Sequence, residues 1–117
     1  MSTRSRRVGS DWELRLMRWF REQGMPTERL HLAGLHDEGD LAVTDADLTY
    51  LVEAKAERQI ALSSYVNEAV IERDNYCKAR GLDRSTVLPL AIVKRRSLPL
   101  EQAYVVTTVA EFFGGEL

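Results

Sequence analysis

The chain has 117 residues, with 16 basic and 18 acidic side chains and a formal net charge of −2. This length predicts a single domain over residues 1–117, and a composition of 44% hydrophobic and 29% charged residues argues against disorder. Since no apolar run approaches the roughly 18 residues of a membrane helix and no apolar signal core follows the first arginines, we expect a cytoplasmic protein with no membrane partner.

The first predicted element is a helix that begins at Ser10 or Asp11 and ends at Gly24, because its apolar residues recur at helical spacing. Residues 1–9 precede it and are predicted to form a basic, flexible arm. Three strands should follow, at about 29–33, 41–44 and 49–55.

A long helix is predicted over about 60–80, where Gly81 ends the apolar periodicity. Two further strands, at 87–93 and 103–107, and a short helix at 109–113 complete the order αβββαββα. This order predicts an α/β fold in which helices flank a central mixed sheet, with the long helix as the crossover.

Charged residues interrupt the third predicted strand. Side chains alternate along a strand, so Glu53 and Lys55 point to the same face. The pair has a structural interpretation, as a simple ion pair, and a functional one, as part of a site. Asp40 favours the second, because it begins the neighbouring strand, where pairing brings its carboxylate towards Glu53. By itself, the Gly39-Asp40 dipeptide is typical of a turn.

A third carboxylate, Glu13, falls within the apolar arc of the first helix. Such an acid needs a charged partner or a metal ion to offset its desolvation. The alternative is an acid near the helix start that remains close to solvent and is stabilised by the helix dipole.

These residue types suit phosphodiester hydrolysis, which needs a cation at the phosphate and an activated water. Asp40 and Glu53 would bind Mg²⁺, or Mn²⁺ in its place, with the backbone carbonyl of Ala54. Lys55 would orient or help to deprotonate the water, and Glu13 would hold an outer water or a second metal ion.

The spacing of Asp40 and Glu53-Ala54-Lys55 resembles the D…(D/E)XK signature of PD-(D/E)XK nucleases. Together with Gly9-Ser10-Asp11-Trp12-Glu13, it resembles the small Holliday junction resolvases of archaea and actinobacterial phages. The resemblance implies a restriction-endonuclease-like αβββαβ core and a catalytic and metal-binding set of Glu13, Asp40, Glu53 and Lys55. It also implies a homodimer that cuts two strands of a four-way DNA junction, in the host cytoplasm if a phage encodes it.

Two basic clusters are candidate DNA contacts, although each is also compatible with solvated surface charge: Arg4, Arg6 and Arg7, and Lys94, Arg95 and Arg96. His31 and His36 lack zinc-site spacing and are predicted to be surface or core residues. Three other functions remain open: a restriction-like, nicking or repair nuclease of the same superfamily, a non-catalytic DNA-binding module, and a structural dimerisation protein.

Overall fold

A computed structural model describes residues 3–30 and 38–114, with the side chains of residues 3–7 left undescribed. The predicted order αβββαββα is confirmed. Its elements are α1 (Thr3–Glu22), β1 (Thr27–Arg29), β2 (Leu41–Asp45), β3 (Leu48–Lys55), α2 (Leu62–Arg80), β4 (Val87–Val93), β5 (Tyr104–Val106) and α3 (Val109–Phe112). Two short 3₁₀ turns, Arg84–Thr86 and Leu100–Gln102, precede β4 and β5. The predictions for His31 and His36 lie outside the described residues.

The five strands form one mixed sheet in the order β1-β2-β3-β4-β5. The pairs β1/β2, β2/β3 and β4/β5 are antiparallel, whereas β3 and β4 are parallel. A parallel pair requires a crossover connection, and α2 supplies it. The mixed sheet and the role of the long helix are therefore as predicted.

Helix α1 covers one face of the sheet. Its Trp12 and Leu16 side chains are both 1% exposed and pack against Leu41, Val43, Val52, Leu88, Leu90 and Ile92. The Trp12 indole also donates a 3.2 Å hydrogen bond to the backbone carbonyl of Ile92. This packing holds α1 on that face of the sheet.

The start of α1 differs from the prediction. The helix begins at Thr3 rather than at Ser10 or Asp11, so residues 3–9 of the predicted flexible arm are helical. Ser10 does not cap the helix, because it lies inside it and its hydroxyl accepts a hydrogen bond from Arg29. Gly9 is tolerated within the helix at a modest cost. The side chains of Arg4, Arg6 and Arg7 lie outside the description.

Helix α2 covers the other face, and its buried positions are Tyr65, Val66, Ala69, Glu72, Arg73, Tyr76 and Cys77. The helix ends as predicted at Gly81, which adopts the left-handed conformation with φ 64°. Glu72 and Arg73 are the charged members of this buried set. Arg73 anchors the C-terminal part of the chain, because its guanidinium donates to the carbonyl of Val87 at 2.9 Å and to both carboxylate oxygens of Glu111.

The first strand begins earlier than predicted, at Thr27 rather than at 29, and spans Thr27–Arg29. Residues 31–33 of the predicted strand lie outside the described residues. Pairing with β2 sets its position, since Thr27 lies opposite Val43 and Arg29 opposite Leu41. The next amide, that of Leu30, donates to the carbonyl of Asp40 at 3.0 Å. Within the described residues, no helix is long and apolar enough to span a membrane.

Candidate active site

Asp40 lies just before β2 and is held against β3 by two hydrogen bonds. Its backbone N–H donates to the carbonyl of Val52 at 3.1 Å. Its carboxylate oxygen Oδ2 accepts from the backbone N–H of Ala54 at 2.8 Å. The predicted approach of Asp40 to Glu53 is therefore present, since the carboxyl groups of the two residues share a hydrogen bond.

Glu53 and Lys55 point from β3 towards α2, as strand alternation predicts. The Lys55 ammonium lies 4.0 Å from Oε1 of Glu53 and 2.8 Å from Oε2 of Glu68 on α2. It also lies 5.2 Å from the centre of the Tyr65 ring. The predicted acid-base pair is therefore part of a larger contact that includes the crossover helix.

Helix α2 contributes two carboxylates that the sequence analysis did not include. One carboxylate oxygen from each of Glu53, Glu68 and Glu72 lies within 4.8 Å of the other two, and we call these three residues the carboxylate cluster. Glu72 is 4% exposed, and its carboxyl group shares a hydrogen bond with that of Glu53. Hard oxygen donors of this kind are the ligands that Mg²⁺ and Ca²⁺ prefer. The cluster could therefore hold a divalent metal ion.

Gly39 makes room for this arrangement. It has a φ of 94°, which side-chain-bearing residues rarely adopt. A Cβ at this position would also lie 3.3 Å from Oε2 of Glu72 and 3.3 Å from Cγ of Leu51. The glycine of the Gly39-Asp40 dipeptide thus serves both the turn and the approach of α2 to the site.

Burial and mutual repulsion raise the pKa values of the central acids. Burial, followed by the negative charge of Glu53, raises the pKa of Asp40 to about 8. Burial, followed by the hydrogen bond to Glu72, raises the pKa of Glu53 to about 9. Closely packed acids that resist ionisation are a common feature of functional sites, and a bound cation stabilises their charged forms.

The pKa of Lys55 is raised, whereas that of an isolated buried lysine would be lowered. Burial works to lower its pKa, but the hydrogen bond to Glu68 and the charges of Glu53 and Glu68 outweigh this, so the pKa is raised. Lys55 therefore carries a stable positive charge beside the carboxylate cluster. This favours orientation and charge stabilisation over removal of a proton from water.

Glu13 is buried, as its place on the apolar arc of α1 predicts, with 8% exposure. Its Oε1 accepts a 2.8 Å hydrogen bond from Nε of Arg29, which forms an ion pair across α1 and β1. Its negative charge also contributes to the raised pKa of Asp40. Arg29 is therefore the charged partner that the sequence analysis required without identifying it.

These residues border one open groove on the described surface. Its charged lining consists of Glu13, Arg29, Asp40, Glu53, Lys55, Glu57, Arg58, Lys94 and Arg96. Of the second predicted basic cluster, Lys94 and Arg96 line this groove. Arg95 lies over the Tyr104 ring, 4.6 Å from its centre, and donates to the carbonyl of Gln102 at 3.3 Å.

The α/β fold has a mixed sheet between helices, and the acids Asp40 and Glu53 lie at the ends of β2 and β3. A solved structure with the same fold is Hjc, a Holliday junction resolvase of the archaeal hyperthermophile Archaeoglobus fulgidus. The two match with a TM-score of 0.52 and 12% identity over 90% of this chain and 93% of that chain. This structural match confirms the predicted α/β fold class. No protein-family model and no curated protein matches the sequence.

Proposed function

We propose that this protein is a metal-dependent endodeoxyribonuclease that resolves four-way DNA junctions by paired strand cleavage. One observation carries the proposal: Asp40, Glu53 and Lys55 meet at the edge of a groove that also presents Arg29, Arg58, Lys94 and Arg96. Acids that bind a cation then lie beside basic residues that bind phosphates. The resolvase fold of the Archaeoglobus fulgidus protein supports the choice of a branched DNA substrate.

Asp40 and Glu53 are the proposed metal ligands, with the carbonyl of Ala54 as a further donor. The donor set fits Mg²⁺ or Mn²⁺, because all of its atoms are oxygens and its two carboxyl groups are close together and largely buried. When bound, such an ion supplies charge stabilisation at the scissile phosphate and a more acidic water. The hydrogen bond from the backbone N–H of Ala54 fixes one oxygen of the Asp40 carboxylate.

Lys55 and Glu13 act around these ligands. The Lys55 ammonium would orient the attacking water and stabilise negative charge on the phosphate, since it lines the groove and remains protonated. Glu13 would hold an outer water or a second metal position. Its ion pair with Arg29 fixes the direction of its carboxylate.

The DNA backbone would follow the groove past Lys94 and Arg96, with Arg29 and Arg58 as further phosphate contacts. Arg4, Arg6 and Arg7 stay in the proposal as DNA contacts from the first turns of α1. Arg95 stays as a weaker candidate, because its guanidinium packs over Tyr104. Resolution requires cuts in two strands, which two copies of one site related by a two-fold axis achieve most simply. We therefore propose a homodimer.

Labelled substrates test this function directly. Purified protein is incubated with a four-way junction, a matched linear duplex and a splayed duplex, each with Mg²⁺ or with EDTA. The Glu53→Gln variant removes a proposed metal ligand with little change in shape. Glu22→Gln is the matched control, because it removes an exposed acid at the far end of α1.

Paired cuts in the junction that require Mg²⁺, are retained by Glu22→Gln and are lost in Glu53→Gln would support the resolvase. Equal cutting of all three substrates would leave a nuclease of the same superfamily without junction specificity. Binding of DNA without cleavage by the wild-type protein would favour the non-catalytic module. Absence of both DNA and metal binding would leave the structural dimerisation protein.

A further inference from the structure

The ammonium of Lys55 lies between two carboxylates at unequal distances. Oε2 of Glu68 is 2.8 Å from Nζ, within hydrogen-bond distance, whereas Oε1 of Glu53 is 4.0 Å away. Glu53 belongs to the same strand as Lys55, while Glu68 belongs to the helix across the sheet face. The nearer partner of the lysine is thus supplied by a different element.

The surroundings of the Lys55–Glu68 ion pair restrict the position of the lysine side chain. The Lys55 side chain is 19% exposed and that of Glu68 is 45% exposed, so solvent reaches the ion pair mainly on the Glu68 side. The Tyr65 ring lies one helical turn before Glu68, and its hydroxyl donates to the carbonyl of Gln59 at 3.0 Å. This bond holds the ring in place beside the lysine.

The two acids compete for one flexible cation. A lysine side chain has several rotatable bonds and loses considerable rotamer entropy when it is held in one place. Without Glu68, the same ammonium would turn towards Glu53, whose carboxylate already lies 4.0 Å away. It would then neutralise a proposed metal ligand.

We propose that Glu68 is a positioning residue that holds the Lys55 ammonium away from Glu53. The inference rests on the proposed nuclease function and assigns to Glu68 a role through Lys55 rather than as a metal ligand. The Tyr65 ring packs beside the Lys55 ammonium, and Glu72 lies beside Glu53 in the interior.

Kinetics on a four-way junction separate the two roles of Glu68. The Glu68→Gln variant should lower kcat by about 10- to 100-fold, the usual effect of losing a residue that orients an active-site group. The KM for DNA should change little, since Glu68 is not a phosphate contact. In a Lys55→Ala background, Glu68→Gln should have no further effect, because the residue through which it acts is gone.

Binding of Mn²⁺, measured by calorimetry, gives a readout that does not depend on cleavage. Glu68→Gln should weaken Mn²⁺ binding only when Lys55 is present to turn onto Glu53. Equal weakening in the Lys55→Ala background would overturn the inference, because Glu68 would then be a metal ligand itself.

Side-chain NMR relaxation of the metal-free protein tests the contact alone. The Cε group of Lys55 should become more mobile in Glu68→Gln but not in Asp74→Asn, which removes an acid of the same helix that pairs instead with Arg73 and Arg84. A cleaving wild-type protein with an unchanged Glu68→Gln rate would overturn this inference alone. A wild-type protein that cuts no DNA would overturn the proposed function, and the catalytic role of Glu68 with it.

Discussion

The backbone N–H of Ala54 donates a 2.8 Å hydrogen bond to the carboxylate of Asp40, which joins the acid before β2 to the centre of the Glu53-Ala54-Lys55 segment. Because Ala54 lies between Glu53 and Lys55, this bond fixes Asp40 relative to both. The register of β2 and β3 places the pair, with Leu41 opposite Val52. The site is therefore built by the backbone of two adjacent strands and completed by side chains from both covering helices.

The raised pKa values predict how the stability of the metal-free protein depends on pH. Burial raises the pKa of Asp40 to about 8 and that of Glu53 to about 9 in the folded state. In the unfolded state both pKa values lie at about 4. Between those limits the folded state holds more protons than the unfolded state, so stability falls as pH rises. We expect the melting temperature in EDTA to drop by at least ~5 °C from pH 6 to pH 9.

Circular dichroism melts across this pH range measure the effect. In the Asp40→Asn, Glu53→Gln double variant the fall should be largely absent, because neither group can ionise. Mn²⁺ should raise the melting temperature of the wild-type protein more at pH 9 than at pH 6, since the cation binds the ionised acids. A wild-type melting temperature that is independent of pH would contradict the raised pKa values of Asp40 and Glu53.

The three residues of the second basic cluster should differ in their contribution to DNA binding, because their side chains point in different directions. Lys94 and Arg96 line the groove, so replacing either with alanine should weaken junction binding and reduce the dependence of log K on log salt by about 1. Arg95→Ala is the matched control, because that guanidinium packs on Tyr104. Fluorescence anisotropy titrations in EDTA at several salt concentrations give the slopes. A larger change for Arg95→Ala than for its neighbours would place the DNA elsewhere.

The ion pair of Glu13 and Arg29 should be energetically coupled. Arg29→Met leaves a buried carboxylate without its 2.8 Å partner, which should cost about 1–3 kcal/mol of unfolding free energy. Adding Glu13→Gln should recover part of this loss, because the buried group is then neutral. Urea denaturation of the two single variants and the double variant measures the coupling. Strictly additive effects would show that the pair contributes no interaction energy to the fold.

The strand residues of the site could be predicted from the sequence, because side-chain alternation and hairpin pairing depend on neighbouring residues alone. Alternation along β3 places Glu53 and Lys55 on one face, and hairpin pairing brings Asp40 beside them. Helical spacing likewise placed Glu13 in the interior. Local rules did not predict the start of α1. The Ser10 hydroxyl does not cap the helix but accepts a hydrogen bond from Arg29, which belongs to another element.

The two carboxylates of α2, Glu68 and Glu72, were not predicted, although the sequence carried a signal for one of them. Glu72 follows Tyr65 and Ala69 and precedes Tyr76 at the spacing of the buried α2 stripe, which is the same pattern that identified Glu13. Glu68 gave no comparable signal, because its role depends on the distance between α2 and β3. Only the packing of the crossover helix on the sheet sets that distance.

The account is tested most directly on a supercoiled plasmid that extrudes a cruciform, a four-way junction within closed circular DNA. With Mg²⁺, the wild-type protein should convert this plasmid to the linear form by paired cuts, with little nicked circle. EDTA or the Glu53→Gln substitution should prevent the conversion. Failure of the wild-type protein to cut in Mg²⁺ or Mn²⁺, or equal cutting by Glu53→Gln, would contradict the assignment of a metal-dependent junction nuclease to this site.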